Sequence, residues 1–323
     1  MGDVIKTTVE QAAEHIRAGE LVAFPTETVY GLGADASNDA AVAKIFAAKG
    51  RPSDHPLIVH LASSKQVLDY ASSLPPFAER LIKAFWPGPL TVILPRKPGA
   101  ATAAAGGQNS IGLRCPAHPL ALEFLKACGT GVAGPSANKF GRVSPTTAQH
   151  VRQEFGDVLM VLDGGPCKVG IESSIVDCTR AQPVLLRPGV LTRVQLSAAC
   201  GQTVLSADDT PDDAPRAPGT LESHYAPNAK VRLMDAKAIQ TALDLLGADA
   251  AHIAIYARSI VRIKSSQVIY RRMSDDALAT AEQLFAVLRD FDAQGVKLIW
   301  IEPVPEAAEW DGVRDRLARA SAA

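Results

Sequence analysis

LVAFPTETVYGLG, at residues 21–33, opens the most informative stretch of this chain. A short helical pattern joins it to KGRPSDHPLIVH at residues 49–60. The helix must end at this second segment, because Gly50 suits a left-handed C-cap and a proline two residues later prevents continuation. Lys49 and Arg51 therefore flank the glycine at the end of a rigid element, and an apolar strand follows. Positive charge and hydrogen-bond donors concentrated in this way are typical of a site that binds phosphate or carboxylate groups.

The same two cations have a plainer interpretation. Cations in the last turn of a helix are favoured by the macrodipole and can simply be solvated. The binding interpretation is favoured because Gly50 lets the backbone turn both side chains toward one place. In addition, the planar guanidinium of Arg51 suits bidentate recognition of oxygens.

Composition indicates an ordinary globular protein. A chain of 323 residues, 47% of them apolar, is long enough for two domains that each have a core. The formal net charge of -1 argues against non-specific binding of duplex nucleic acid, which usually needs a basic excess. Five cysteines without a C-x-x-C pair argue against a disulfide scaffold and a zinc ribbon. Since the chain has no apolar signal core and no long apolar run, we expect a cytoplasmic protein with no membrane partner.

The apolar patterns predict an α/β protein with two domains and a long linker. Residues 1–192 show many short strands with a few helices and form the predicted first domain. Residues 193–228 form the predicted linker, in which 218–227 is expected to act as a lid segment. Residues 229–323 alternate strand and helix patterns, which indicates a small domain with a parallel sheet.

Residues 31–36 match a G-x-G-x-x-A dinucleotide fingerprint, but their context does not. Residues 25–30 separate the motif from the preceding strand, whereas the fingerprint needs an immediate strand-to-helix turn. We therefore expect Gly31 and Gly33 to be turn residues. No P-loop motif occurs in the sequence.

Two histidines occur near the cations, one before the apolar strand that follows them and one within it. His60 lies in an apolar strand, where a histidine is more often a satisfied core residue than a ligand. His55 stands in a loop just before Pro56 and is expected to be exposed. No third ligand stands at a suitable spacing, so the pattern predicts no metal site made of protein ligands.

Hydrogen-bond donors follow several predicted strands. Ser136 and Asn138 lie in a Gly-Pro-Ser-Ala-Asn turn, and Ser144 follows nearby. Arg114 and Arg187 each end an apolar strand. Local turn chemistry and surface exposure would explain each one alone. Together with the Lys-Gly-Arg cations they suit the orientation of substrates and the stabilisation of charge in phosphoryl or nucleotidyl transfer.

The chain resembles the YrdC-like threonylcarbamoyl-adenylate synthases in their longer, two-domain form. The first domain matches that family's pattern almost from end to end, and the family's K-x-R and S-x-N signatures fall on Lys49, Arg51, Ser136 and Asn138. The matching motifs are FPTETVYGLG at 24–33, KGRP at 49–52, HPLIVH at 55–60, WPGPLT at 86–91, RCPAHP at 114–119, PSAN at 135–138, ESS at 172–174, LLRPG at 185–189 and HYAP at 224–227.

The resemblance implies a fold and a reaction. The fold would be a twisted, partly closed α/β sheet around a concave pocket, with a smaller Rossmann-like second domain. The enzyme, a nucleotidyltransferase, would join L-threonine, bicarbonate and ATP into L-threonylcarbamoyl-AMP and release pyrophosphate, with Mg²⁺ accompanying ATP. The product would pass to the machinery that transfers the threonylcarbamoyl group to tRNA, and a weak contact with tRNA is also expected.

The resemblance also assigns residues. The catalytic signature is Lys49, Arg51, Ser136 and Asn138. Threonine would be held by Thr26, His60, Arg114 and Ser173. The nucleotide would be surrounded by Arg51, His55, Ser110, Ser136, Asn138, Ser144, Arg187 and Tyr225.

Two other functions remain open at the level of sequence. The first is an RNA-binding module that uses a concave basic surface, as some YrdC-like domains resemble such binders. The near-neutral charge and the lack of stacking motifs count against it. The second is a carbamoyl transferase of the hydrogenase-maturation type, whose acylphosphatase and zinc-finger segments are absent from this chain.

Overall fold

The computed structural model describes residues 7–209, 215–220 and 224–322. Across these ranges the chain divides into two compact units. The first unit combines the residues up to Phe140 with Ser144–Thr220, and the second combines Gly141–Val143 with the residues from His224 onward. Both units mix helices and strands, so the predicted α/β class is confirmed.

The first unit is built on one large sheet. Its strand order is β10-β9-β8-β4-β5-β3-β6-β2-β1-β7, with parallel and antiparallel neighbours mixed. The helices and strands are α1 Val9–Arg17, β1 Val22–Phe24, β2 Gly31–Asp35, α2 Asp39–Lys49, β3 Ile58–His60, α3 Val67–Tyr70, α4 Pro76–Phe85, β4 Leu90–Pro95, β5 Ser110–Arg114, α5 Pro119–Cys128, β6 Val132–Ala133, α6 Ala148–Phe155, β7 Met160–Val161, β8 Ser174–Asp177, β9 Val184–Arg187, α7 Arg193–Cys200 and β10 Leu205–Ser206.

Helix α2 ends where its sequence predicts. The side chain of Asn38 accepts a hydrogen bond from the Ala41 N–H and caps the first turn. Gly50 has φ of 65°, the left-handed conformation that lets the chain leave the helix at little cost. Lys49 is therefore the last helical residue, and the chain turns sharply directly after it.

The prediction that Gly31 and Gly33 are turn residues is wrong. Both lie in β2, which pairs with β1 on one side and β6 on the other. The ring of Phe24 covers this strand, and a Cβ atom on Gly31 would lie only 2.8 Å from Phe24 Cζ. Glycine is present because the ring packs directly on the backbone, which is a contact that local sequence patterns do not indicate.

The sheet separates an apolar face from a face that carries polar groups. Val59, Val92 and Leu113 point into the main core of the unit. At the alternate positions of the same strands stand residues that we call the site face. The site face consists of Ile58 and His60 in β3, Thr91 and Ile93 in β4, and Ser110, Gly112 and Arg114 in β5.

The second unit is a small parallel sheet with helices, as predicted for the C-terminal domain. The strand order is β11-β14-β12-β13, and every neighbouring pair is parallel. Its elements are β11 Lys230–Leu233, α8 Ala236–Leu246, β12 Ile253–Ala257, β13 Ile269–Arg272, α9 Ala277–Ala293, β14 Leu298–Ile301 and α10 Asp311–Ser321.

The stretch predicted as a linker contains regular structure at its start. Helix α7 opens with a capping box between Thr192 and Gln195. Strand β10 pairs in parallel with β9. Residues 210–214 of the predicted linker and residues 221–223 of its lid segment lie outside the described residues. None of the helices that the structure describes has the length and apolar character needed to cross a membrane.

Candidate active site

The end of α2 is joined to the Pro-Ser-Ala-Asn turn by one buried ammonium group. Lys49 Nζ donates to the Ser136 carbonyl oxygen at 2.6 Å and also to the Asn138 carbonyl oxygen. The backbone carbonyl of Lys49 accepts from the Phe140 N–H at 2.9 Å. Burial, and after it the charge of Arg51, holds the pKa of Lys49 well below its usual range. The structure therefore brings together the residues of both signature motifs.

Arg51 and His55 both contact the aromatic ring of Phe140. The Arg51 guanidinium donates from Nη2 to the Pro56 carbonyl oxygen at 3.0 Å, and its Cζ lies 5.6 Å from the centre of the Phe140 ring. The His55 ring meets the same phenyl ring edge-on at 5.5 Å. Burial and the charge of Arg51 lower the pKa of His55. His55 is half-buried, so the expectation that it is exposed is wrong.

A buried ion pair stands at the end of β5. Arg114 Nη2 lies 2.7 Å from Glu27 Oε1, and both side chains are almost fully buried. Glu27 Oε2 accepts from the Ala117 N–H at 3.0 Å, and Arg114 Nε donates to the Gly88 carbonyl oxygen at 3.3 Å. Arg114 Nη1 donates to none of the residues that the structure describes. Sequence reasoning missed Glu27, whose signal was a single acidic residue inside an otherwise uncharged motif.

His60 is a buried histidine beside this ion pair. It aligns with Arg114 in the parallel pairing of β3 and β5, and its ring meets Phe24 edge-on at 5.4 Å. Burial, and then the charge of Arg114, lowers the pKa of His60 to about 3, so the imidazole is neutral at physiological pH. Across residues 7–209, 215–220 and 224–322 no atom forms a hydrogen bond with Nδ1. Nδ1 of His60 can therefore exchange a hydrogen bond with a ligand.

Ser173 connects the site face to Arg187. Its hydroxyl lies 2.8 Å from that of Thr91. Arg187 donates to the Ser173 carbonyl oxygen from Nη2 at 2.9 Å and from Nε at 3.1 Å. The remaining arm of the guanidinium, Nη1, donates to the Pro218 carbonyl oxygen at 2.8 Å. Arg187 therefore ties the end of β9 both to β8 and to the end of the predicted linker.

A second buried carboxylate lies beside Ser144. The Ser144 hydroxyl donates to Glu172 Oε1, and both residues are buried. The charge of Glu172 acts on Lys49, whose pKa it raises, which places it within electrostatic reach of that ammonium. Sequence reasoning treated Glu172 only as a neighbour of two serines, because nothing local in the sequence indicates its partner.

The hydroxyl of Thr26 is used inside its own loop. It donates to the Val29 carbonyl oxygen at 2.6 Å, lies 2.8 Å from the Thr28 hydroxyl, and accepts from two backbone N–H groups. The loop that follows β1 is therefore rigid. The threonine contact assigned to Thr26 stays a prediction.

Residues 215–220, which we call the connector segment, pack onto the site face. Ala217 is buried in an apolar cluster with Ile58, Ile93 and Ile175. Arg216 pairs with Asp54 at 3.0 Å. The segment adds two further hydrogen bonds to Gln108, one in each direction. A small pocket lies beside the segment, lined in part by Ser110, Thr91, Arg216 and Pro218.

Tyr225 is anchored inside the second unit. It is buried, has φ of 61°, and stacks on Phe285 with ring centres 5.5 Å apart. The Cζ atom of Arg316, a fully buried arginine, lies 5.1 Å from the centre of the tyrosine ring, and His224 meets the ring edge-on at 4.1 Å. A left-handed backbone at a tyrosine is strained, so this packing must hold it. The nucleotide contact assigned to Tyr225 stays a prediction.

All five cysteines are free and buried. Burial raises the pKa of the Cys167 thiol to about 12, so it is not a nucleophile at neutral pH. Within the described part of the chain, no group of three or more His, Cys, Asp or Glu side chains is arranged to hold a metal ion.

Comparison with known proteins covers both units. A family model described as "Telomere recombination" matches residues 14–189, and one described as "Threonylcarbamoyl-AMP synthase, C-terminal domain" matches residues 191–322. The threonylcarbamoyl-AMP synthase of Pyrococcus abyssi is 38% identical over 319 residues, which is 96% of this chain and 93% of that protein. The enzyme of the same name from Bacillus subtilis is 38% identical over 322 residues, 97% of this chain and 92% of its own length.

A solved structure is similar over the same extent. The structure of P. abyssi Sua5 in complex with L-threonine superposes with a TM-score of 0.87 at 38% identity, covering 97% of this chain and 94% of that one. A nucleotide-bound structure of full-length HypF shares the fold of part of the chain, at 20% identity and with 29% of that protein covered.

Proposed function

The chain belongs to the threonylcarbamoyl-AMP synthase family, and we propose on this basis that it makes L-threonylcarbamoyl-AMP from L-threonine, bicarbonate and ATP with release of pyrophosphate. The family resemblance read from the motifs is confirmed. The enzyme is a nucleotidyltransferase that serves the threonylcarbamoyl modification of tRNA. The RNA-binding alternative is not favoured, because relatives that match nearly the full length are named as synthases.

The burial of four cations is the observation that supports the proposed chemistry. Four cationic side chains, those of Lys49, Arg51, Arg114 and Arg187, are each more than nine-tenths buried in the first unit. Burying a charge is costly unless a partner compensates for it. Glu27 pairs with Arg114, and Glu172 lies within electrostatic reach of Lys49. Such a site is suited to two anionic substrates, a carbamate and a nucleoside triphosphate.

Threonine would bind between β3, β5 and β8. Arg114 keeps Nη1 available for a carboxylate, while Glu27 holds the rest of the guanidinium in a fixed orientation. The neutral His60 ring and the Ser173 hydroxyl would hydrogen-bond the polar groups of the amino acid. Because His60 is uncharged, it adds no repulsion toward the ammonium group of free threonine.

The nucleotide would bind at the end of α2 and the Pro-Ser-Ala-Asn turn. Arg51 would neutralise charge that develops at the α-phosphorus as the carbamate oxygen attacks. Lys49 holds the turn that carries Ser136 and Asn138 through the backbone carbonyl oxygens of both residues. The carbamate is already a nucleophile, so adenylation needs orientation and charge stabilisation rather than a strong base.

We propose Mg²⁺ as the companion of ATP. The ion would neutralise phosphate charge when bound, as it does in nucleotidyl and phosphoryl transfer generally. Among the described residues Glu172 fits it best, because its buried carboxylate stands beside the Ser144 hydroxyl and within electrostatic reach of Lys49. A single carboxylate is a normal protein contribution to a Mg²⁺–nucleotide site.

The setting of the reaction follows from the lability of its intermediate. The carbamate reverts to the free amine and carbon dioxide in open water, so a covered site preserves it. We infer that the adenylate passes directly to the machinery that modifies tRNA in the cytoplasm, with at most a weak contact to tRNA itself. The five free, buried thiols support a reducing compartment.

The test is an assay of the full chain with L-threonine, bicarbonate, ATP and Mg²⁺. We expect an AMP adduct by mass spectrometry and one pyrophosphate per adduct, with no product when any one component is omitted. Valine should react up to ~10⁴-fold less well, because a site built around a hydroxyl loses a hydrogen bond with the analogue. Pyrophosphate release that does not depend on threonine would contradict the proposed function, and tight RNA binding without adduct would support the alternative.

A further inference from the structure

A short loop and the entry to β11 are tied together within the second unit. Gly141–Val143 belongs to this unit, whereas the chain on either side of it belongs to the first. The Ala226 N–H donates to the Gly141 carbonyl oxygen at 2.9 Å, and Arg142 and Ala226 form a parallel bridge. Two segments that are more than eighty positions apart in sequence are therefore joined at backbone level.

The carboxylate of Asp292 is the point at which these segments meet. Oδ2 accepts from Asn228 N–H at 2.7 Å and lies 3.4 Å from Arg142 Nη2. Oδ1 accepts from the Ala229 N–H at 3.0 Å. The Asp292 side chain is only 12% exposed, so these contacts are shielded from water. One carboxylate thus fixes both the loop and the chain that leads into β11.

The position of Asp292 on its helix is unfavourable without these partners. It is the second-last residue of α9, where the negative end of the helix dipole disfavours a carboxylate. Two backbone N–H groups and one guanidinium compensate for that cost. One turn earlier, Arg289 donates from Nη2 to the Val143 carbonyl oxygen. The end of α9 therefore presents an acceptor and a donor to the same three-residue loop.

We propose that Asp292 is a positioning residue for the nucleotide, acting through Arg142 on the loop between Asn138 and Ser144. The proposal depends on the nucleotide role assigned above to those two residues. The loop is short, so Arg142 is only two positions from Ser144 and two from Phe140, whose N–H is bonded to the Lys49 carbonyl oxygen. A small shift of Arg142 must therefore move groups that face ATP, and small misplacements reduce rate strongly.

The test compares four variants of the full chain. Asp292→Ala removes the carboxylate, and Arg142→Ala cuts only its link to the loop, leaving the backbone N–H partners in place. Arg142→Lys keeps a cation and should restore part of the effect. Asp290→Ala is the matched control, because Asp290 lies in the same last turn but pairs with Arg271 at the surface.

We expect Asp292→Ala and Arg142→Ala to raise the KM for ATP roughly tenfold, the loss that corresponds to one charge-assisted hydrogen bond. The KM for threonine should stay within about twofold of wild type, and Asp290→Ala should change neither constant. Hydrogen exchange at the Phe140 and Ala226 amides should be faster in the first two variants and unchanged in the control.

A purely structural role would lower Tm and reduce the use of both substrates in proportion. That result would overturn the proposal, as would an unchanged KM for ATP in both Asp292→Ala and Arg142→Ala. If the wild-type chain forms no adenylate at all, the proposed function has failed instead. In that case hydrogen exchange alone tests the positioning role of Asp292. Unchanged exchange at the Phe140 amide in Asp292→Ala would overturn that role.

Discussion

At the scale of single residues, the sharpest prediction concerns Arg51. Its guanidinium is buried and lies over the Phe140 ring, so it is held in place before any nucleotide binds. Arg51→Ala should remove about 2 to 4 kcal/mol of transition-state stabilisation, which is on the order of a hundredfold in adenylation rate or more. Arg51→Lys should also be slow, because an ammonium lacks the planar fork and stacks poorly on the ring.

The control for Arg51 is Arg152→Ala, which removes a half-exposed arginine 3.9 Å from Asp163. That variant should keep the wild-type rate, measured as pyrophosphate release under saturating threonine. Near wild-type turnover in both Arg51 variants would remove this residue from the proposed chemistry.

His60 allows a prediction about pH. The pKa of its ring is lowered from 6.5 to about 3 in the folded chain, so the unfolded chain binds a proton there first as pH falls. The stabilisation is therefore fully present above about pH 6.5 and is lost progressively as pH falls toward 3. The contribution of one such group changes by at most about 1.4 kcal/mol per pH unit.

Urea unfolding at pH 7.5, 6.0 and 5.0 measures this effect. The wild-type chain should lose more stability between the first and last of these pH values than His60→Gln, which cannot take up the proton. If the two proteins lose stability in parallel, His60 is already protonated or solvated in the folded state, and the neutral imidazole proposed for the threonine site is wrong.

At the scale of elements, local signals in the sequence predicted the end of helix α2. The Gly50 terminus of α2 was predicted from the glycine and the proline that follows it, and the structure has the helix end there. This end depends on the conformational preference of one or two residues. Strand β2 was missed because its glycines are required by the Phe24 ring, which packs on them in the tertiary structure.

The packing of the connector segment can be tested by proteolysis. Arg216 is the only lysine or arginine between Arg193 and Lys230, so trypsin cleavage there reports on this segment alone. Ala217→Glu would put a carboxylate into the apolar cluster on the site face. We expect cleavage after Arg216 to become about tenfold faster or more, and adenylate formation to fall, since burying an unpaired charge is strongly unfavourable.

In the wild-type chain, ATP together with threonine should slow the same cleavage, because a covered site needs the segment in place. Ala248→Glu, an exposed position in the second unit, is the control and should leave cleavage after Arg216 unchanged. Cleavage that neither the substitution nor the ligands alter would mean that the segment is a passive tether.

At the scale of the whole molecule, sequence patterns predicted the two α/β architectures but not the long-range pairs that complete the site. Lys49, Arg51, Ser136 and Asn138 stand in recognisable motifs, and the structure joins those motifs through the Lys49 ammonium. The carboxylates of Glu27 and Glu172 meet partners 87 and 28 positions away, which no local pattern indicates. Local sequence patterns likewise do not indicate that Gly141–Val143 belongs to the second unit.

The division into units predicts what a shortened chain retains. Among the described residues, the two larger apolar clusters of the first unit contain no residue beyond Val204, and β10 completes the sheet at Ser206. A third cluster, on the site face, would lose only Ala217. A cut after Asp209 therefore preserves every strand, whereas a cut after Cys200 would remove β10 from β9. We expect residues 1–209 to fold on their own and to bind L-threonine within a few-fold of the full chain.

The same fragment should make threonylcarbamoyl-AMP poorly, by roughly 10²-fold. It lacks Pro218, which accepts from Arg187, and it lacks the helix that holds the loop before Ser144. Circular dichroism would establish folding, calorimetry with L-threonine would measure binding, and the adduct assay would measure synthesis. A fully active fragment would show that neither the connector segment nor the second unit contributes to the chemistry. Ala217→Glu in the full chain separates the two contributions, because it disturbs the connector segment and its apolar cluster on the site face but removes nothing from the second unit.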